Sequence, residues 1–142
     1  MDPFDLARFV TAQDAGDTYK HALNELRAGQ KTSHWMWFVF PQIAGLGQSS
    51  MAKQYAIASL EEARAYAQHP VLGARLRACV ATLNALSITN AKTIFGSVDA
   101  MKLHSSLTLF TRAAPEEEAF RRALDRFFGG ALDPATTRRL PE

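Results

Sequence analysis

Apolar residues recur at helical spacing along most of the chain, and residues that start or stop helices separate the groups. Tyr19, Ala22, Leu23 and Leu26 follow the i, i+3, i+4, i+7 pattern of one buried helix face, and Gly29 is typical of a residue that ends such a helix. A second run with the same period carries apolar side chains at Leu72, Leu76, Cys79, Val80 and Leu83. The pattern predicts a chain of short amphipathic helices.

Capping signals set the predicted boundaries of these helices. Ser59 and Glu62 form a capping box at the start of a helix that ends near Gln68. Three further helices are predicted to begin with a polar residue followed by proline, at Asp2-Pro3, His69-Pro70 and Asp133-Pro134. The first of these is expected to run to about residue 11, and the second to about residue 86.

Three further segments are also predicted to be helical. The run His34–Phe40 suits a helix capped by Ser33 or a strand, and we favour the helix because no second strand candidate exists to pair with it. Ser49 or Ser50 is predicted to cap a helix that contains Tyr55 and Ile57. Two helices, about 90–96 and 97–112, are expected to meet at a break at Gly96.

Length and composition support a single all-α domain over residues 1–142, with roughly seven or eight short helices. The chain has 142 residues, of which 47% are hydrophobic and 21% charged, so it is long enough to bury a core without a disulfide or a metal. The longest apolar run, Trp35–Phe40, is far below the roughly 20 residues that cross a bilayer. No association with a membrane is therefore expected.

Charge and cysteine usage narrow the class of function. The net charge is +2, and residues 105–142 hold six acids and six bases, so no segment is a basic block and nucleic-acid binding is disfavoured. The single cysteine, Cys79, excludes an intrachain disulfide, and the acidic start MDPFDLARF is unlike a signal peptide. A cytoplasmic location is expected.

The common cofactor and metal motifs do not occur in the sequence. It contains no GxxxxGK[ST], GxGxxG, GxSxG, HExxH or CxxC, so we predict no cofactor and no metal. The sequence carries no prediction of an oligomeric state.

Two polar clusters are unusual in so apolar a chain. In SHWMWFVFPQ, His34 and Trp37 would share one face of a helix and Gln42 would follow the proline, which suits stacking of a planar ligand and hydrogen bonding to it. The alternative is that the tryptophans pack in the core, as aromatic runs usually do, and that His34 bonds a backbone group.

The second cluster lies in SVDAMKLHSSLTLF. Asp99, Lys102 and Ser106 fall at i, i+3, i+7 and share one helix face, with Ser105 beside them. Asp99 and Lys102 could form an ordinary surface ion pair, but a lysine among hydroxyls would also suit a phosphate or a carboxylate.

The blocks SHWMWFVFPQ, GLG, HPVLGARL, IFG and DAMKLHSSLTLF resemble a bacterial family of domains of unknown function, the family DUF-eighteen-ten. The resemblance covers roughly residues 2–140, nearly the whole chain. It implies an all-helical fold. The family has no assigned catalytic residues, so the resemblance implies none here.

These observations lead to one functional hypothesis and one alternative. The hypothesis is a pocket for a small anionic or nucleotide-like metabolite, in which Trp37, Gln42, Lys102, Ser105 and Ser106 bind the ligand. If the pocket is catalytic, His34 would be the general acid or base and Asp99 would orient it. The alternative is a non-catalytic domain that binds a protein through an aromatic patch, which requires an exposed tryptophan.

Overall fold

Helices connected by turns and loops make up residues 2–141, the part of the chain that the computed structural model describes. They are α1 (Ala7–Asp14), α2 (Thr18–Ala28), α3 (Met36–Val39), α4 (Ser50–Gln54), α5 (Leu60–Gln68), α6 (Leu72–Ala85), α7 (Ala91–Ala113), α8 (Glu118–Phe128) and α9 (Pro134–Thr137). Within these residues the β-type pairing is limited to one parallel bridge between Ile43 and Ile57. The predicted all-α class is confirmed.

Several helix ends follow the capping chemistry of the sequence. The Ser59 hydroxyl accepts the N–H of Glu62 at 3.1 Å, as expected for a capping box. His69 Nδ1 accepts the N–H groups of Val71 and Leu72 at 3.1 and 3.2 Å in the turn that leads into α6. Gly29 ends α2 in the left-handed conformation, with φ 73°.

The first helix begins later than predicted. Asp2 does accept two backbone N–H groups, from Leu6 at 2.8 Å and from Ala7 at 2.9 Å. Asp5, however, has a positive φ of 52°, and this interrupts helical geometry between the aspartate and the helix. The helix therefore covers Ala7–Asp14 and does not start at Pro3.

The aromatic segment is helical for only one turn, so the predicted helix over residues 34–40 is too long. Helix α3 covers Met36–Val39, and Trp35 before it has φ −150° and ψ 5°. The hydroxyl of Ser33 donates to Glu25 and does not cap the helix. Hydrogen bonds to Glu25 thus hold the residues before α3 in a non-helical conformation.

Of two further predictions, the extent of the helix after Ser49 is wrong and the break at Gly96 is confirmed. Helix α4 ends at Gln54, so Tyr55 and Ile57 lie outside it, and Ile57 donates its N–H to the carbonyl of Gln42 at 2.9 Å. The break predicted at Gly96 is present as a kink inside α7, where this glycine has φ 80° and ψ 168°. A side chain at that position would be strained, because residues with a Cβ rarely adopt this conformation, whereas glycine does so readily.

One hydrophobic core lies between the helices. Helix α7 packs against α5 and α8, and α6 packs against α2 and α8. The largest fully buried side chains are aromatic, and they include Phe9, Trp35, Phe40, Tyr66, Phe110 and Phe120. None of the helices within residues 2–141 is both long and apolar enough to span a bilayer.

Candidate functional site

The two polar clusters of the sequence meet in space. The backbone N–H of Lys31 donates to the carbonyl of Ile94 at 2.8 Å, which fixes the segment before α3 against the start of α7. Lys31 Nζ also lies 2.8 Å from Asp99 Oδ2, an ion pair that joins segments far apart along the chain. The juxtaposition places the aromatic segment beside the polar face of α7.

A cavity of about 380 Å³ lies at this junction, and we call it the lysine cavity. The side chains that line it include Lys31, His34, Trp37, Val98, Asp99 and Lys102. Its volume is within the range of about 300–1,000 Å³ that is usual for pockets that bind small molecules.

A second cavity of about 390 Å³ adjoins the first, and we call it the Asp133 cavity. The residues that line it include Gln42, Val98, Met101, Lys102, Ser105 and Asp133. Val98 and Lys102 line both cavities, which are therefore adjacent.

Positive charge exceeds negative charge in the lysine cavity. Asp99 lies between two ammonium groups, with Oδ2 at 2.8 Å from Lys31 and Oδ1 at 3.7 Å from Lys102. The Lys31 side chain is only 6% exposed, whereas that of Lys102 is 25% exposed. One carboxylate thus faces two ammonium groups, and of the two Lys102 is the more accessible.

Each of these lysines also lies against a tryptophan ring. Lys31 Nζ is 5.0 Å from the ring centroid of Trp35, and Lys102 Nζ is 5.2 Å from that of Trp37. Trp35 is fully buried, while Trp37 is half-buried and faces the cavity. The indole rings therefore help to hold the ammonium groups in place.

Glu25, in the last turn of α2, organises the segment that carries the aromatic cluster. Its Oε1 accepts the N–H groups of Thr32 and Ser33 at 2.7 and 3.0 Å and the indole N–H of Trp35 at 3.0 Å. Burial opposes ionisation of this carboxyl, but the hydrogen bonds from Ser33, Thr32 and Trp35 outweigh it and lower its pKa to about 2.

Sequence reasoning missed the roles of Glu25 and Lys31. One signal was available for Glu25: an acid near the carboxyl end of a helix opposes the helix dipole, so it indicates a compensating partner nearby. No comparable local signal marks Lys31, because its partner Asp99 is distant in the sequence.

Comparison with known proteins identifies the family. The sequence matches the family described as "Protein of unknown function (DUF1810)" over residues 3–140. The chain belongs to the DUF1810 family. The resemblance seen in the sequence motifs is confirmed.

The DUF1810 fold of this chain is also similar to a solved structure. The crystal structure of the conserved hypothetical protein Rv1873 from Mycobacterium tuberculosis at 1.38 Å has 49% sequence identity and a TM-score of 0.94, with 98% of each chain covered. No curated protein matches the chain.

In this DUF1810 chain, four of the predicted site residues line the lysine cavity: His34, Trp37, Asp99 and Lys102. His34 is exposed and lies outside α3, so the predicted sharing of a helix face with Trp37 is wrong, although both reach the same cavity. Within residues 2–141, no hydrogen bond joins His34 to Asp99.

The remaining predicted residues divide between the second cavity and the core. Gln42 and Ser105 line the Asp133 cavity, where the Ser105 hydroxyl donates to Asp133 Oδ2 at 2.9 Å. Ser106 is fully buried and lines neither cavity. Its place at i+7 from Asp99 brings it deeper along the same face of α7, beneath the packed side chains.

Proposed function

We propose that the lysine cavity binds the anionic group of a small metabolite, a phosphate or a carboxylate. The observation that carries this proposal is the placement of Lys31 and Lys102 around the single carboxylate of Asp99 in the wall of the cavity. Two ammonium groups and one carboxylate leave one positive charge. In a partly desolvated site, such a charge attracts an anion more strongly than it would in water.

Lys102 is the residue that would contact the anion. Its ammonium is 3.7 Å from Asp99, which is longer than a direct hydrogen bond, and it is more exposed than Lys31. Lys31 is occupied by Asp99 and by the carbonyl of Ser33. It therefore acts mainly by neutralising Asp99.

The other side chains of the cavity suit a ligand with a planar part. The half-buried ring of Trp37 offers an apolar surface, and the imidazole of His34 at the cavity offers a donor or an acceptor. A nucleotide or a similar metabolite combines a planar group with an anion.

Binding is supported better than catalysis. Asp99 has its two oxygens directed to two lysines, an arrangement that favours charge balance over orientation of an imidazole. His34 is the group that would transfer a proton if the ligand were also processed.

The alternative of an aromatic interaction patch has weaker support. Trp35 is fully buried and its indole N–H is bonded to Glu25, while Trp37 lies in a cavity wall. Neither ring projects from a flat surface, which is what the alternative requires.

The proposal is tested by a thermal-shift screen with phosphate- and carboxylate-bearing metabolites, followed by titration of each compound that stabilises the protein. A ligand at 100 times its Kd stabilises the native state by about 2.7 kcal/mol, which is easily detected. We expect Lys102→Met to weaken binding at least tenfold, because it removes the ammonium and keeps the length of the side chain.

Lys20→Met is the matched control, because Lys20 is exposed on α2 and lines neither cavity. It makes the same change in net charge and should leave the Kd within a factor of two. The proposal is wrong if no anion raises the melting temperature, or if both variants bind the stabilising compound equally well.

A further inference from the structure

The Asp133 cavity is placed to receive the part of a ligand that extends beyond its anionic group. Val98 and Lys102, one helical turn apart on α7, line both cavities. A compound whose anion contacts Lys102 therefore lies at the edge of the second cavity. This inference rests on the anion site proposed above.

Asp133 presents a fixed hydrogen-bond acceptor in this second cavity. Its Oδ2 accepts the hydroxyl groups of Ser105 at 2.9 Å and Thr136 at 2.6 Å, and its backbone N–H donates to Thr108 at 3.0 Å. Within residues 2–141, no hydrogen bond ends on Oδ1. The carboxylate is thus held in one orientation in the lining of the cavity.

The charge of Asp133 favours hydrogen-bond donors over anions as ligand groups in this cavity. Burial opposes its ionisation, but the hydrogen bonds from Thr136 and Ser105 and the charge of His104 outweigh this effect and lower its pKa. An ionised carboxylate repels a second anion and attracts O–H and N–H donors. Lys102, which lines both cavities, repels an ammonium group, so a neutral hydroxyl is the donor that suits both Asp133 and Lys102.

Two further features agree with a neutral, hydroxyl-bearing group. The half-buried amide of Gln42 lines the cavity and can donate or accept. Val98 and Met101 are 67% and 72% exposed, which leaves an apolar surface beside these polar groups. The carbon frame of a sugar would cover that surface while its hydroxyls reach Asp133.

We propose that the two cavities together bind one ligand, a phosphorylated sugar or a compound built on one, with the phosphate at Lys102 and the sugar hydroxyls at Asp133. The lysine cavity supplies the attraction for the anion, and the Asp133 cavity discriminates between phosphates by their hydroxyl groups.

The test compares two phosphates of five carbons each, one with hydroxyl groups and one without. Ribose 5-phosphate carries hydroxyl groups, whereas pentyl phosphate keeps the phosphate and five carbons without them. Isothermal titration of the full chain should show ribose 5-phosphate binding at least fivefold more tightly.

Asp133→Asn should reduce this preference at least twofold. Its amide oxygen can still accept from Ser105 and Thr136, so the group facing the ligand becomes the neutral amide NH₂, whose bonds to hydroxyl oxygens are weaker than the bonds of a hydroxyl to an ionised carboxylate. Asp125→Asn is the matched control, since Asp125 is exposed on α8 and outside this cavity. It makes the same charge change and should retain the preference.

The outcomes separate this inference from the function proposed above. If both phosphates bind equally and both are weakened by Lys102→Met, the anion site stands and the role of Asp133 is wrong. A preference for ribose 5-phosphate that is unchanged in Asp133→Asn also overturns the inference. If neither phosphate binds, the anion site itself fails for phosphates and the inference fails with it.

Discussion

Lys31 shows how a nearly buried ammonium group is accommodated beside a cavity. Its side chain is 6% exposed, and the ammonium is bonded to Asp99 Oδ2 and to the carbonyl of Ser33 with the ring of Trp35 beside it. A buried charge without such partners would cost several kcal/mol, so the Lys31 ammonium is paired within the protein. Lys102 is left as the accessible cation.

Cys79 provides a test of core packing at the scale of a single residue. The side chain is fully buried on α6, and burial raises the pKa of its thiol to about 12. We expect Cys79→Ser to lower the free energy of unfolding by about 1–3 kcal/mol, because a hydroxyl is placed in an apolar environment. Urea unfolding measures the change.

Cys79→Ala serves as the control, because it removes the sulfur without adding a hydroxyl. The serine variant should be the less stable of the two. In the native protein the thiol should react with a disulfide reagent far more slowly than in urea. Rapid reaction of the native thiol, together with unchanged melting of the serine variant, would contradict the placement of Cys79 in the core.

At the scale of elements, Glu25 connects the end of α2 to the segment that leads into α3. The carboxylate binds two backbone N–H groups and an indole N–H of that segment, and so it holds Lys31 and Trp35 at the lysine cavity. Glu25 is a positioning residue, because its contacts are with the segment and not with the space where a ligand would lie.

Glu25→Gln should destabilise the protein by about 1–2 kcal/mol at neutral pH, since neutral hydrogen bonds replace bonds to a charged acceptor at a half-exposed site. The folded-state pKa of Glu25 is about 2, below its ordinary value of 4.5. The stabilisation is therefore present above about pH 4.5 and is lost as the pH falls towards 2.

The difference in melting temperature between the wild type and Glu25→Gln should accordingly shrink over this acidic range. Glu116→Gln, at an exposed position between α7 and α8, should show little difference at any pH. A Glu25→Gln variant that melts like the wild type at neutral pH would show that the carboxylate does not hold the segment.

At the scale of the whole molecule, the distribution of charge determines which large partners are attracted. The net charge is +2, and several arginines are paired within the protein, among them Arg77 with Glu117 and Arg75 with Asp14. Binding to DNA depends on many unpaired cations that contact phosphates. The excess positive charge at the lysine cavity is too local for that purpose.

We therefore expect binding to single- or double-stranded DNA to be weak and non-specific, with a Kd above about 10⁻⁶ M at physiological salt. Fluorescence anisotropy with labelled oligonucleotides at two salt concentrations measures it. A complex tighter than this that persists at high salt would contradict the argument from charge.

Helix ends that depend on residues close together in the chain could be predicted from the sequence, and they determined the class of fold. The caps at Ser59 and His69 and the end of α2 at Gly29 each depend on groups a few residues apart, so the pattern alone predicts them. The same is true of the kink at Gly96, where one residue type permits the conformation.

Other features were decided only when distant segments packed together. The aromatic segment is reduced to one helical turn by hydrogen bonds that it donates to Glu25. Asp99 is shared between Lys102 on its own helix and Lys31 far away in the sequence. Ser106 is in the core although its spacing matches that of a cavity residue. Helical spacing predicts on which side of a helix a residue lies. The packing of the other segments determines whether that side lines a cavity or is buried in the core.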